Sequence, residues 1–219
     1  MLGLPKRTEI NGKEGRNVPK NKFYSNLDLS DAQERLFVDE VKSIRWMNKI
    51  SSDSMNLPES DGILEIEVFY ILLKGADASE RLLRMMDSAI VHPILFVLDD
   101  GVRKKVSISY KEASESGKVS VKSYYSTDWS KEAPLLDFSA LSLGELYHSL
   151  ISQVSGNRIA SRDQGADLSE SVDLDIERQA ALAEIEGLKR KIKRTSQPNK
   201  KMELVHRLKA LKNRWDIDG

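Results

Sequence analysis

The 219-residue chain has no cysteine, only six prolines, few aromatics (6%) and no long apolar run. Without thiols there is no disulfide framework, no thiolate nucleophile, no cysteine-type zinc site and no iron–sulfur cluster. The most apolar stretch, Ala89 to Leu98, is interrupted by His92 and Pro93 and falls well short of the roughly 20 residues that a spanning helix needs. The opening MLGLPKRTEI carries charge but no apolar h-region after it. A cytoplasmic protein that does not enter the membrane is expected. The motifs GxxxxGKS/T, GxGxxG and HExxH are missing too, as is the carboxylate ladder of a calcium loop. No cofactor is expected, and any ATP use would belong to a partner.

The other thing in short supply is net charge: 34 Lys and Arg balance 34 Asp and Glu. That balance hides a segregation along the chain. From Lys6 to Lys22 six bases (Lys6, Arg7, Lys13, Arg16, Lys20, Lys22) face two acids, with Gly12, Gly15, Pro5 and Pro19 and no apolar period. Residues 1–22 therefore read as a basic arm, mobile or laid on a surface. From Asp163 to Glu186 eight acids face Arg178 alone, and from Gly187 to Arg214 eleven bases face Glu203 alone.

Residues 23–155 have the changing periodicities of a folded α/β or α+β body, long enough at roughly 130 residues for one core. Ser30 offers an N-cap, and Leu36, Phe37, Val41 and Ile44 recur at helical spacing. Ser43 to Ile50 reads as a strand or a helix end. Ile63 to Lys74 is β-branched and aromatic with no breaker, so a long strand ending at Gly75 is expected. Ala78 to Ile90 is helical in period, with Pro93 after it. Ile94 to Leu98, Asp99-Asp100-Gly101 and Val106 to Tyr110 form a hairpin pattern. A turn over Glu115 to Lys118, a third strand from Val119 to Tyr125 and a helix over Leu141 to Val154 complete a single mixed-sheet domain flanked by helices.

Residues 156–173 read as a polar, acidic linker, and 174–219 as a basic helical hairpin. Ala181, Ile185, Leu188 and Ile192 make one a/d stripe; after the Gln197-Pro198-Asn199 break, Leu204, Leu208, Leu211 and Trp215 make another. Helices of about 20 residues or fewer are marginal alone in water, so an antiparallel pairing, or packing against a partner, is expected.

An ordered set of residues resembles a known bacterial family. Pro5-Lys6-Arg7-Thr8, Phe23-Tyr24, Ile44-Arg45-Trp46-Met47-Asn48-Lys49-Ile50 and Asn56-Leu57 open it. Glu67-Val68-Phe69 to Leu73-Lys74, Ala89-Ile90 to Leu98, Tyr110-Lys111-Glu112-Ala113, Tyr124-Tyr125 to Trp129 and Gln197 to Leu204 follow in order. The family is domain of unknown function 4391, and the likeness covers nearly the whole chain except the acidic linker. The resemblance implies a genomic setting beside helicases, DNA methyltransferases and restriction-type components, as in phage-defence loci. It brings no catalytic residues with it.

Three candidate sites come from the residues themselves. A restriction-type nuclease strand would pair a carboxylate with Lys74, but alternation places Leu72 where the acid should stand. Glu65 and Glu67 fall on the opposite face, and Asp61 precedes the strand. His92, His148 and His206 have no nucleophile elbow or paired acid near them in sequence. The second site is the tail. Ile185, Leu188, Ile192, Leu204, Leu208, Leu211 and Trp215 would grip a partner, or only each other. Lys189, Arg190, Lys191, Lys193, Arg194, Lys200, Lys201 and Arg207 would meet phosphates, or only flank the seam in solvent. The third is a cationic and aromatic surface of Arg45, Trp46, Lys49, Tyr124, Tyr125 and Trp129, residues equally at home as core and edge packing.

The sequence thus points to a non-catalytic accessory subunit of a bacterial anti-phage defence complex that docks on a helicase or methyltransferase partner, or guides DNA to it. A metal-dependent nuclease of degenerate restriction-endonuclease-like fold and a free-standing DNA-binding protein are the alternatives, with oligomeric state left open.

Overall fold

Among the described residues, six strands make one sheet in the order in which they occur along the chain: β1 (Arg16–Asn17), β2 (Val41–Ser51), β3 (Glu65–Leu73), β4 (Ile94–Asp99), β5 (Lys104–Ala113) and β6 (Val119–Ser126). The structure, a computed structural model, describes residues 2–24, 27, 29–113, 119–159 and 167–217. The expected turn at Glu115 to Lys118 lies outside them. All neighbouring strands are antiparallel except β3 and β4, which are parallel. A parallel pair requires a crossover, supplied by a helix over Glu80–Ala89, whose N-cap Ser79 accepts from the Leu82 N–H. The β4–β5 hairpin closes where expected: Asp100 accepts from the N–H groups of Val102 and Arg103, and Gly101 takes φ +94°.

The helices are α1 (Asn21–Tyr24), α2 (Asp31–Glu40), α3 (Ser52–Met55), α4 (Glu80–Ala89), α5 (Leu143–Val154), α6 (Leu168–Arg194) and α7 (Pro198–Trp215). One face of the sheet packs on α1, α2 and α4 through Phe23, Phe37, Ile44, Phe69, Ile71, Leu82, Met86, Ile94 and Phe96. The other packs on α5, whose Tyr147 hydroxyl accepts from the Lys111 N–H and donates to the Ser109 carbonyl of β5. Residues 2–22 lie on this body, with Leu2 and Thr8 buried and Arg16–Asn17 paired to β2.

One expectation changes at the junction of α2 and β2. Val41 and Ile44 were placed on the helical stripe of Leu36 and Phe37, but the helix stops at Glu40 and both belong to β2, fully buried. Their spacing suits a helix. Their β-branching suits a strand, and pairing with Leu73 and Ile71 of β3 decides between the two.

Residues 169–219 form a second compact unit, with α6 and α7 packed together. The helix α6 has 27 residues, longer than expected, and starts inside the stretch read as linker. Glu170 and Asp173 in its first turns favour that extension, since carboxylates oppose the positive end of the helix dipole. Glu184 pairs with Arg207, and Glu177 lies 3.7 Å from Arg214. Moving one heptad back along α6 moves one heptad forward along α7, so the helices are antiparallel.

Candidate functional site

Alternation along β3 sends Glu65, Glu67, Phe69, Ile71 and Leu73 to the face that carries α2 and α4. Phe69, Ile71 and Leu73 are core, whereas the two glutamates stand at the open end of the strand. Across the ladder, Trp46 lies opposite Phe69 and Lys49 opposite Glu67. Residues three apart on a regular strand face opposite ways. A register shift between Trp46 and Asn48 turns both Trp46 and Lys49 to the Glu67 side.

The result is a compact polar cluster. The Trp46 indole N–H donates to Glu67 Oε2, Lys49 forms an ion pair with Glu65, and His92 Nε2, just beyond α4, lies 3.1 Å from Glu65 Oε1. Burial pushes the Glu67 carboxyl up to about 7; the Trp46 bond opposes this and the neighbouring Glu65 charge adds to it. Burial works the same way on Glu65, but the Lys49 ammonium, His92 and the Glu67 carboxyl outweigh it and hold Glu65 below the ordinary carboxylate range. Below about pH 7 the pair is therefore mostly one carboxylic acid, Glu67, beside one carboxylate, Glu65. Lys49 occupies the place beside Glu65 that a cation would take, and the Trp46 indole N–H occupies Glu67 Oε2, so both carboxyl groups already have partners within the protein. Among the described residues, no group of three or more His, Asp or Glu side chains is arranged to hold a metal.

Lys74, the nuclease candidate from sequence, is at the far end of β3, where its ammonium donates to the Val38 carbonyl at 2.6 Å. Seven residues of strand separate it from Glu67, about 23 Å. Asp61 lies before β3, beside Ser60 and Gly144 near the start of α5.

Beside the polar cluster a cavity of about 460 Å³ opens between β1, α1 and the end of α4. Phe23, Trp46 and Phe69 wall it, and Arg16, Asn17 and Lys22 stand at its rim. The rings of Trp46 and Phe69 are stacked, 6.5 Å apart and 13° from parallel. Arg16 is the direct cross-strand neighbour of Trp46.

The remaining aromatic and basic candidates do not share this surface. Arg45 faces the other way and donates to the Glu14 carbonyl. Tyr124 bonds to buried Asp87, with the Arg84 guanidinium over its ring. Tyr125 is buried under Arg158, and Trp129 lies beneath Arg103 and Lys105. Four strand spacings separate Tyr124 on β6 from Trp46 on β2, about 19 Å.

A second buried cluster escaped the sequence reading. Lys111 of β5 donates to the carbonyls of Asp87, Ile90 and His92, which end α4. With its three hydrogens so used, it meets Asp87 Oδ1 at 3.1 Å as a charge contact and not as a directed hydrogen bond. Burial raises the Asp87 pKa against the pull of Lys111 and Tyr124, and burial lowers that of Lys111 against Asp87. This is a helix C-cap made by a distant strand. An isolated lysine in an alternating strand gives no local sign of such a role.

On the hairpin, Ile185 and Leu188 are buried, while Ile192, Leu204, Leu208, Leu211 and Trp215 are half-buried. The antiparallel register sets Leu188 level with Leu204 and Ile185 with Leu208. Lys189, Arg190, Lys191, Lys193, Arg194, Lys200, Lys201 and Arg207 are exposed; of these Lys189 reaches Glu186 at 2.8 Å and Arg207 pairs with Glu184.

Compared with known proteins, residues 2–214 match the family model described as Domain of unknown function (DUF4391). Neither a curated protein nor a solved structure matches the chain.

Proposed function

This chain belongs to the DUF4391 family, and from that premise we propose that it is a non-catalytic accessory subunit of a bacterial anti-phage defence complex. Its hairpin docks on a helicase- or methyltransferase-type partner and presents its turn end to DNA.

The observation behind this reading is how antiparallel packing sorts the hairpin's charges. The acidic half of α6 runs beside the late part of α7, where Glu184 and Glu177 take up Arg207 and Arg214. At the turn end, Arg190, Lys191, Lys193, Arg194, Lys200 and Lys201 come together, and no acid occurs between Gly187 and Met202. Lys200 and Lys201 also stand at the positive end of the α7 dipole, and the Gln197 side chain does not cap its N–H groups. Both features disfavour the isolated hairpin and favour an anion there. A phosphate backbone satisfies them without base readout, with an affinity that falls steeply with salt.

The apolar side supports docking. No residue of α7 is buried; Leu204, Leu208, Leu211 and Trp215 keep part of their surface, and Met202 and Val205 are exposed. Apolar area of this kind drives association, while the surrounding cations govern its rate and salt response.

Two measurements on the full chain test the two halves. In mobility shifts on duplex DNA at low and high salt, replacing Arg190, Lys193, Lys200 and Lys201 by Gln should weaken binding at least tenfold and flatten the salt dependence. Unchanged binding would refute DNA contact by the hairpin. In co-purification with a helicase or methyltransferase subunit from such a complex, Leu208→Asp with Trp215→Asp should lose the partner, and full retention would refute docking through α7.

A further inference from the structure

We propose that two copies of this chain associate through their hairpins, which lie side by side in opposite directions about a two-fold axis, the acidic end of each against the basic turn end of the other. This goes beyond the reading above and does not rest on it, because the acidic end takes no part in DNA contact or in docking through α7.

Each hairpin is a rod with opposite charges at its two ends. Between Leu168 and Glu177 there are four acids (Glu170, Asp173, Asp175, Glu177) and no base. Between Gly187 and Met202 there are seven bases (Lys189 and those gathered at the turn end) and no acid. Glu170, Asp173 and Glu177 are exposed, as are all seven bases. Along α6, Glu170 and Arg194 are about 36 Å apart, several times the Debye length of about 8 Å at physiological ionic strength. The two ends of one hairpin therefore do little to neutralise each other, while like charges within each end repel.

Both ends also expose apolar surface. Glu177 stands 3.7 Å from Arg214 and α7 ends at Trp215, so Leu168 to Ile176, about 13 Å of α6, run on past the last turn of α7. Leu174 continues the stripe of Ala181, Ile185 and Leu188 by one heptad into this overhang; those three are buried, whereas Leu174 is exposed. At the turn end Met202 and Val205 of α7 are exposed among the cations.

The register of α6 on α7 sets what meets in an antiparallel pair of hairpins. A two-fold axis level with Leu182, next to the midpoint of α6, overlaps the two rods along their whole length. It brings Asp173 level with Lys191 and Lys201 of the other copy, Glu170 level with Arg194, and Leu174 level with Met202. Each contact occurs twice, as in any isologous pair. DNA would take the basic end alone and leave the acidic overhang and Leu174 as they were. A second copy covers both ends, matching charge with charge and apolar surface with apolar surface.

Sedimentation equilibrium of the full-length protein, free of nucleic acid, tests this at low and high salt. A monomer–dimer equilibrium is expected, with a dissociation constant that rises at least tenfold from low to high salt. Two variants each reverse one end: Glu170→Lys with Asp173→Lys, and Lys193→Glu with Lys201→Glu. Either alone should be monomeric where the unchanged protein is dimeric, and an equimolar mixture of the two should dimerise again as a mixed pair, which also shows that both have folded. A protein that is monomeric at every concentration and salt, a dimer insensitive to salt or kept by either variant, open-ended larger assemblies, or a mixture that stays monomeric would each overturn the proposal. The acidic-end variant keeps every turn-end cation as well as Leu208 and Trp215, so its loss of self-association leaves the DNA and docking readings standing, and the proposals fail separately.

Discussion

Trp46 and Glu67 hold each other across the β2–β3 ladder: the indole N–H donates to a carboxyl that is almost wholly buried, at the point where β2 shifts register. The bond fixes the ring that walls the aromatic cavity and places an acid that burial keeps protonated within reach of Glu65. Structure and electrostatics at this end of the sheet therefore depend on one protonation state.

Protein stability should fall as pH rises from the ordinary glutamate value to above 7. Glu67 keeps its proton to about 7 in the fold against its ordinary value of 4.5, so in that interval the native state binds the extra proton and gains from it. The gain is complete below 4.5 and is lost through about 7. Glu65 is shifted the other way, so its contribution disappears only below the ordinary carboxylate range. The loss should be on the order of 2 kcal/mol after solvent screening, read from urea midpoints at about pH 5 and about pH 8. Glu67→Gln keeps an acceptor for Trp46 and should make that profile flat across the interval.

Removing one member of the Lys111–Asp87 pair should be costly. Lys111→Met strips three carbonyls at the end of α4 of their donor and leaves Asp87 buried beside Tyr124 without its counter-charge. A loss of about 3 to 5 kcal/mol is expected, measured by chemical denaturation. Lys111→Met combined with Asp87→Asn should recover part of it, because the uncompensated charge is then gone.

Antiparallel register in the hairpin can be checked by cross-linking, since the chain has no cysteine of its own. Glu177→Cys with Arg214→Cys should link within one chain on treatment with a short bismaleimide, as those positions form an ion pair. Glu177→Cys with Lys200→Cys should not. Position 177 is then about 27 Å along the helix from the turn, and a link between 177 and 200 as efficient as that between 177 and 214 would contradict the register.

Gly15→Ala should loosen β1 from β2. The added methyl meets a backbone oxygen at 2.8 Å in a positive-φ conformation, which costs about 1 to 3 kcal/mol. The change should show as a lowered melting temperature and as faster hydrogen exchange at Ile10 and Val18, whose N–H groups bond to Met47 and Ile44 of β2.

What the residues decided by themselves was local. Ser30 and Ser79 cap helices, Asp100-Gly101 turns the β4–β5 hairpin, Pro198 separates α6 from α7, and the a/d stripes pair those two helices. Such signals act over a few residues and survive whatever surrounds them. Tertiary structure decided which distant groups meet. Val41 and Ile44 became strand because β3 was there to pair with them. Lys49 reached Glu65 and Trp46 reached Glu67 through a register shift that no periodicity reveals. Lys111 became a helix cap because the sheet set it against the end of α4. In each case the energy comes from a contact made across tens of residues, where burial raises the strength of a charge or a hydrogen bond. A linear pattern records neither the partner nor the depth.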